Sequence, residues 1–422
     1  MERLLARRTL LALAGLGGLG GSALLAGCGS DAGGDGATTI NFWSYYEAAA
    51  RGATFADLAK QYETDNPGVT INLNLAPQNF NTVLRTAMLS DDRPEFLGLT
   101  QYNMRDFANA GLLTDVVSVL DDAGISSDIY PAAVEAGKIN GTLYGIADAL
   151  RFGMWFYNPK ALDAAGGTQP TTYDELAATA EKLRAQKKYP ILFGLKDLSS
   201  ASNSFQVFVP AFIGLTATLA AAEAKDYTGQ AFVDALTMYR TMVDDGILDA
   251  SDTGMAASDA QALLASGDAA MYPSASYSIG TLVDLNPDFK AFDEPVKLTP
   301  NPVATYWGGA GQMYCVTAGT KAEAAARKLL TWWVKPEQLG VQVEKSGLVS
   351  SLKSANQKIP ANSLAAFAAG NLDKVDPEGL FYNNYVPSSH AEAWGRAIQE
   401  VVSKAKTAEQ AIETTIQPAV AK

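Results

Sequence analysis

Residues 38–75 read TTINFWSYYEAAARGATFADLAKQYETDNPGVTINLNL, and this stretch decides the fold class. Thr38-Thr39-Ile40-Asn41-Phe42-Trp43 is a short run rich in β-branched and aromatic residues, which suit a pleated, half-buried surface. Between Thr54 and Asn66, the residues Phe55, Leu58, Ala59 and Tyr62 recur at helical spacing, and Asn66-Pro67-Gly68 stops the helix. Val69 to Leu75 then alternates Val, Ile, Leu and Leu with Thr and Asn, a strand with one polar face. Strand, helix and strand in that order predict an α/β layer fold with a mainly parallel sheet.

Toward the C-terminus the alternation continues. Asn79 to Leu89 reads as a helix, Phe96-Leu97-Gly98-Leu99 as a buried strand and Tyr102 to Ala110 as a helix. A seam falls near Tyr144-Gly145-Ile146. Beyond it, Met154-Trp155-Phe156-Tyr157 is a strand ended by Asn158-Pro159. Thr172 is the N-cap of a helix over Tyr173 to Gln186, with Glu175 at the capping-box position. Phe205 to Ala222, Gln230 to Asp244 and Ala257 to Ser266 read as helices, and Ala269 to Tyr272 as a strand. Helices over Ala322 to Val334, Ala391 to Lys404 and Ala408 to Ile416 follow.

Toward the N-terminus the character changes. Arg3, Arg7 and Arg8 precede an uncharged run from Thr9 to Ala26 dominated by Leu, Ala and Gly, the pattern of a secretory signal over residues 1–27. The run ends in Leu25-Ala26-Gly27-Cys28, which resembles a bacterial lipobox whose Cys28 is lipidated. Arg7-Arg8 followed by Leu10 and Leu11 resembles a twin-arginine signal, but basic pairs also occur in ordinary leaders, so both export routes stand. Residues 28–37 are Gly, Ser, Ala and Asp after the Cys, a flexible lipid-anchored tether. This places the body on the extracytoplasmic face of the cell membrane.

Composition removes several functions. Apolar residues make up 48% of the chain, enough for a real core over the two domains its length allows. Loss of the leader, with three Arg and one Glu, takes the net charge from −13 to −15. No long basic run exists, so a nucleic-acid partner is disfavoured. With Cys28 lipidated, only Cys315 remains, in the apolar run Met-Tyr-Cys-Val, and it reads as core packing. One histidine, His390, is a poor basis for a zinc site, so neither metal nor cofactor is expected. The rival class is a lipid-anchored hydrolase. Ser350-Ser351-Leu352-Lys353 fits Ser-x-x-Lys, but the Ser-Asp-Asn and Lys-Thr-Gly companions are missing, as is a Gly-x-Ser-x-Gly elbow. No catalytic residue is assigned.

Several segments taken together resemble the extracellular solute-binding proteins of carbohydrate ABC importers, the group typified by maltose-binding protein. These are Phe55 to Asn72, Arg93-Pro94-Glu95-Phe96, Gly111-Leu112-Leu113-Thr114-Asp115, Gly141 to Ile146, Phe156 to Leu162, Pro170 to Leu176 and Ser266 to Met271. They occur in the family's order across most of the mature chain. The resemblance implies two α/β lobes joined by crossover strands, with solute in the cleft between them. Carried over, one lobe would use 38–148 and 313–352, the other 149–312 and 353–422. It also implies a monomer that closes on a small carbohydrate and docks on the transmembrane subunits of a permease.

Sugar hydroxyls need donors and acceptors, and the rings' C–H faces need aromatic platforms. Trp43 and Glu47 follow the first strand, Gln78 and Asn79 the second, and Gln101 and Tyr102 the third. By position Glu47 resembles a family residue that accepts hydroxyl hydrogen bonds. Tyr277 stands near a family stacking aromatic. Trp307, Gly308 and Gly309 offer a ring beside backbone amides that a ligand can approach. Trp155, Trp332 and Trp333 lie in apolar runs and read as core, while Trp394 fits either role. Arg151 occupies a place where many sugar binders carry a carboxylate. Two readings stand: a fork of donors for an anionic group on the solute, such as a phosphorylated polyol or uronic acid, or a salt bridge with Asp148 or Glu47.

Overall fold

The computed structural model describes residues 38–45, 48–75, 80–90, 93–346 and 348–421. The leader and tether read at 1–37, Cys28 among them, and the candidates Glu47, Gln78 and Asn79 lie outside the described residues. Thirteen strands are present among the described residues: β1 Thr38–Ser44, β2 Val69–Leu75, β3 Phe96–Leu99, β4 Lys138–Ile139, β5 Thr142–Leu143, β6 Ile146–Ala147, β7 Ala149–Tyr157, β8 Tyr189–Ile191, β9 Ala269–Ala275, β10 Lys290–Ala291, β11 Gly308–Ala310, β12 Met313–Val316 and β13 Val349–Ser350.

They form two main sheets. The first has the order β2-β1-β3-β12-β6, and the second β10-β7-β9-β8, with β11 and β13 also on β7. The opening strand–helix–strand unit folds as expected, with β1 parallel to both β2 and β3. The mainly parallel expectation fails further along. β12 runs antiparallel to β3 and β6, and in the second sheet only β8–β9 is parallel. The reason is the route of the chain. β12 enters the first sheet directly from β11 in the second, with no crossover helix to restore its direction.

The chain passes between the sheets at three close places. Asp148 separates β6 from β7, Gly311-Gln312 separates β11 from β12, and β13 pairs with the start of β7. Polar groups lock these passages together. The Asp148 N–H donates to the Gln312 carbonyl at 2.9 Å, the Gln312 N–H donates to Asp148 Oδ1 at 2.8 Å, and the Ser351 hydroxyl donates to the Ala147 carbonyl at 2.6 Å. Ser350 and Ser351 are fully buried, so the Ser-x-x-Lys pattern serves the crossover. Gly98 lies against Gln312, and a Cβ there would sit 2.4 Å from the amide.

One strand organises both cores. Along β7, Leu150, Phe152, Met154 and Phe156 belong to the first apolar cluster, while Trp155 and Tyr157 belong to the second. Burial on both faces explains why the run lacks a polar phase, and why only its second half reads as a strand in the sequence. The first core is packed with rings, Trp333 lying 5.3 Å from Phe42, 5.6 Å from Phe55 and 5.8 Å from Phe96. The second stacks Trp394 on Phe205 at 4.3 Å, so Trp394 is a core residue. His390 lies beside them. Its Nδ1 is 2.9 Å from the Tyr227 hydroxyl, and burial pulls its pKa down to about 4. Burial also pushes the Cys315 thiol far up.

The helix expected over Phe205 to Ala222 is two helices, Leu198–Phe212 and Leu215–Ala224, bent by 116°. Pro210 removes a backbone donor, and Ile213 and Gly214 are both extended. Among the described residues no single helix is long and apolar enough to cross a membrane. The Thr172–Glu175 capping box forms as read.

A buried carboxylate pins the chain beyond β8. Asp252 is fully buried, and its two oxygens accept the Phe193 and Gly194 N–H groups, each at 2.9 Å. Burial outweighs these bonds and pushes its pKa up to about 6. Between about 4 and about 6 the folded state therefore holds a proton that the unfolded chain has released. Asp252 thus makes stability fall as pH rises through that window, by up to about 3 kcal/mol. Urea unfolding across pH 4–7 should show this slope in the wild type and lose it in Asp252→Asn.

Candidate functional site

The crossover positions a cluster of side chains on one side of β7. Arg151 pairs with Gly309 in β11, and its guanidinium carbon lies 5.5 Å from the Tyr277 ring and 5.7 Å from the Phe381 ring. Tyr277 sits in the single 3-10 turn that follows β9. Two residues along β7, Gly153 faces Trp307, and a Cβ there would fall 2.2 Å from the indole. The missing side chain is what lets the ring lie on the strand. Trp307 is 3% exposed and meets Phe381 edge-on at 5.2 Å. Gly308 and Gly309 pair with Phe152 and Arg151, and the Gly308 carbonyl accepts the Phe381 N–H at 2.9 Å. Trp307, Gly308 and Gly309 thus form the bed on which Arg151 and Phe381 are held, and little of the indole is left for a solute.

The first sheet contributes differently. β1 extends through Ser44, so Trp43 lies inside the strand, opposite Asn74 and Leu97, half-buried against the first core. Gln101 opens the helix Gln101–Asn109 and is 2% exposed. Its amide nitrogen lies 3.4 Å from the Ala310 carbonyl and 3.5 Å from that of Gly311, tying this helix to the β11–β12 passage. Tyr102 is next to it, half-buried. Its hydroxyl accepts from Arg85 at 3.2 Å, and the guanidinium carbons of Arg85 and Arg105 stand 5.6 and 5.7 Å from its ring. Burial raises the Tyr102 pKa, and Asp106 nearby adds to it.

The structure therefore brings Arg151, Tyr277, Trp307, Gly308 and Gly309 together and places Gln101 against the adjoining passage. Tyr102 belongs to the Arg85–Asp106 cluster. Sequence reading missed the segment Phe381-Tyr382-Asn383-Asn384-Tyr385. It closes over the same place: Asn384 Nδ2 donates to the Ala310 carbonyl at 3.3 Å, and Arg105 donates to the Tyr385 carbonyl at 3.1 Å. Its two adjacent amides flanked by aromatic residues were the available signal. Beside this cluster, a cavity of ≈ 320 Å³ runs along Leu150, Arg151, Gly309 and Ala310 to Leu380 and Tyr385. Among the described residues no group of three or more His, Cys, Asp or Glu side chains could hold a metal ion.

Two sheets joined by closely bonded passages, with an aromatic–amide cluster beside the join, can hold a small polar molecule. The sequence profile for bacterial extracellular solute-binding proteins matches residues 47–339, well over half of the chain. The chain belongs to that family. A relative of this solute-binding protein in Brucella abortus (strain 2308), named only as a binding protein, is 24% identical over 246 residues. That match covers 58% of this chain and 59% of the relative, so the chain spans under two thirds of the curated relative's length. A "Probable sugar-binding periplasmic protein" of Brucella suis biovar 1 (strain 1330) is 30% identical over 173 residues, 39% of this chain and 40% of that one. Among solved structures, a chitin oligosaccharide binding protein superposes with a TM-score of 0.77 at 21% identity, covering 92% of this chain and 100% of its own. The solute-binding protein therefore has the two-lobed periplasmic-binding fold.

Proposed function

We propose that this solute-binding protein captures a sugar or sugar derivative between its lobes and, tethered through Cys28, delivers it to the permease of an ABC importer. The observation that carries the reading is the cluster beside the crossover, where the half-buried Tyr277 ring lies against the Arg151 fork and the buried Phe381 anchors the segment that carries Asn383 and Asn384. Aromatic platforms beside amide donors and acceptors are what a polyhydroxylated ring requires. The relative from Brucella suis is named for sugar binding and the superposed structure for a chitin oligosaccharide, which agrees in chemical class. The lobes are taken as 38–148 with 313–352 and 149–312 with 353–422, closing on the solute about the three passages.

The sugar reading is tested by a thermal-shift screen over neutral sugars, polyols and their phosphates. A true ligand at 100 times its Kd stabilises by about 2.7 kcal/mol, and silence across all carbohydrates would sink the reading. The tether makes its own prediction. Cys28→Ser should move the protein from the membrane fraction to the soluble extracytoplasmic fraction, read by fractionation and immunoblot. Unchanged membrane retention would refute lipidation.

A second reading has its own observation in Arg151, which lines the cavity beside the cluster. It supports a solute with an anionic group. Arg151→Ala should then weaken a sugar phosphate about tenfold more than the neutral sugar. Equal losses leave Arg151 as a spacer between Tyr277 and Phe381.

A further inference from the structure

The helix Gln101–Asn109 and the segment 381–385 belong to different cores and meet beside the passages. Met104, Phe107 and Ala108 of the helix are buried in the first core, whereas Phe381, Tyr382 and the neighbouring Val386 are buried in the second. Both elements are tied to one carbonyl. Gln101 Nε2 and Asn384 Nδ2 approach the Ala310 oxygen at 3.4 and 3.3 Å, which fixes this point to the β11–β12 passage. One turn along the helix, about 6 Å from Gln101, Arg105 Nη2 donates to the Tyr385 carbonyl at 3.1 Å. This bond joins the two cores directly, by a side chain and not through a passage.

The neighbours of Arg105 leave it available for that reach. Its guanidinium carbon stands 5.7 Å from the Tyr102 ring, and that of Arg85 stands 5.6 Å from the same ring. Arg85 takes up the Asp106 carboxylate and donates to the Tyr102 hydroxyl. Arg105 forms no ion pair among the described residues and spends its charge on the Tyr385 carbonyl. A hydrogen bond from a cation is stronger than one between neutral groups. Both partners belong to the chain itself, so the bond needs no solute to form.

We propose that the Arg105–Tyr385 bond is a clasp that holds the lobes together ahead of the solute and must break for the cleft to admit or release one. The proposal rests on the reading of capture between the lobes and adds the contact that limits entry and exit. Rotation about the passages moves a group in proportion to its distance from them. Gln101 and Asn384, both on the Ala310 carbonyl, stay near the pivot, while Arg105, a turn further out, is carried away from Tyr385. A charge-assisted hydrogen bond shifts a two-state balance about tenfold. Opening lies on the path in and on the path out, so both rates carry that factor while affinity, set by their ratio, hardly moves.

The test is stopped-flow binding and release of neutral mono- to tetrasaccharides by the whole chain, in wild type, Arg105→Ala and Arg105→Lys, with small-angle X-ray scattering of each unliganded protein. Arg105→Ala should take up and release every sugar that binds about five- to tenfold faster, by a common factor, with Kd changed about twofold or less. Its unliganded radius of gyration should exceed that of the wild type, and Arg105→Lys, which keeps a donor, should fall between them. Arg105 is half-buried, and Arg105→Lys carries the comparison should Arg105→Ala fold poorly. Unchanged rates with equal radii would overturn the clasp and leave sugar capture intact. Faster release alone, with Kd weakened to match and by a factor that differs between sugars, would make Arg105 a solute contact and overturn it too. A wild type that binds no sugar would overturn the capture reading, and the unliganded radii would then decide the clasp by themselves.

Discussion

Tyr277→Ala should weaken sugar binding about thirtyfold or more, while Tyr277→Phe should retain most of it. Tyr277 is the central ring of the proposed site, with the Arg151 guanidinium against it and a cavity of ≈ 190 Å³, also lined by Ser274 and Ser278, beside it. A rigid aromatic at the centre of a desolvated contact is where binding free energy concentrates, typically 2 kcal/mol or more on truncation. The ring does this work, so loss of the hydroxyl alone should matter less. Calorimetry on both variants gives the answer, with unfolding midpoints as the control for folding. Equal affinity of wild type and Tyr277→Ala would move the solute elsewhere.

The largest effect on stability should come from Trp333→Ala, at about 3–5 kcal/mol. Trp333 is fully buried and touches Phe42, Phe55, Phe96 and Tyr314, which together hold the helix Glu323–Trp333 to the first sheet. Truncation leaves a cavity that four rings cannot collapse into. Trp333→Phe should cost far less, because the indole N–H has no acceptor among the described residues, and removing an unpaired donor offsets lost packing. Urea unfolding of the three proteins measures both differences.

The two predictions rest on features that were unequally legible in the sequence. The helix carrying Trp333 was plain from its apolar spacing, and β1, β2 and β3 follow the runs read at Thr38, Val69 and Phe96. Local periodicity sufficed for β1 and β2, which each keep a more exposed face, and β3 stands out as a short apolar run between Glu95 and Thr100. It failed at β7, whose first half was missed because both faces are buried and Arg151 interrupts the apolar run. It failed again at the bend between Phe212 and Leu215, where Pro210 and an extended Gly214 break a run of continuous apolar character.

The candidate site was legible only where it follows a strand end. Tyr277 comes six residues after Met271, and the strand ends just before it at Ala275. Trp307 drew attention for its glycines, yet Gly308 and Gly309 serve strand pairing and the room for the indole comes from Gly153, more than 150 residues earlier.

Calorimetric titration of the purified wild-type chain with neutral mono- to tetrasaccharides is the most direct test of sugar capture between the lobes. One sugar per chain should bind saturably, with a Kd in the micromolar range or below, and be recovered chemically unchanged. No heat with any sugar at millimolar concentration, or recovery of a cleaved product, would contradict it.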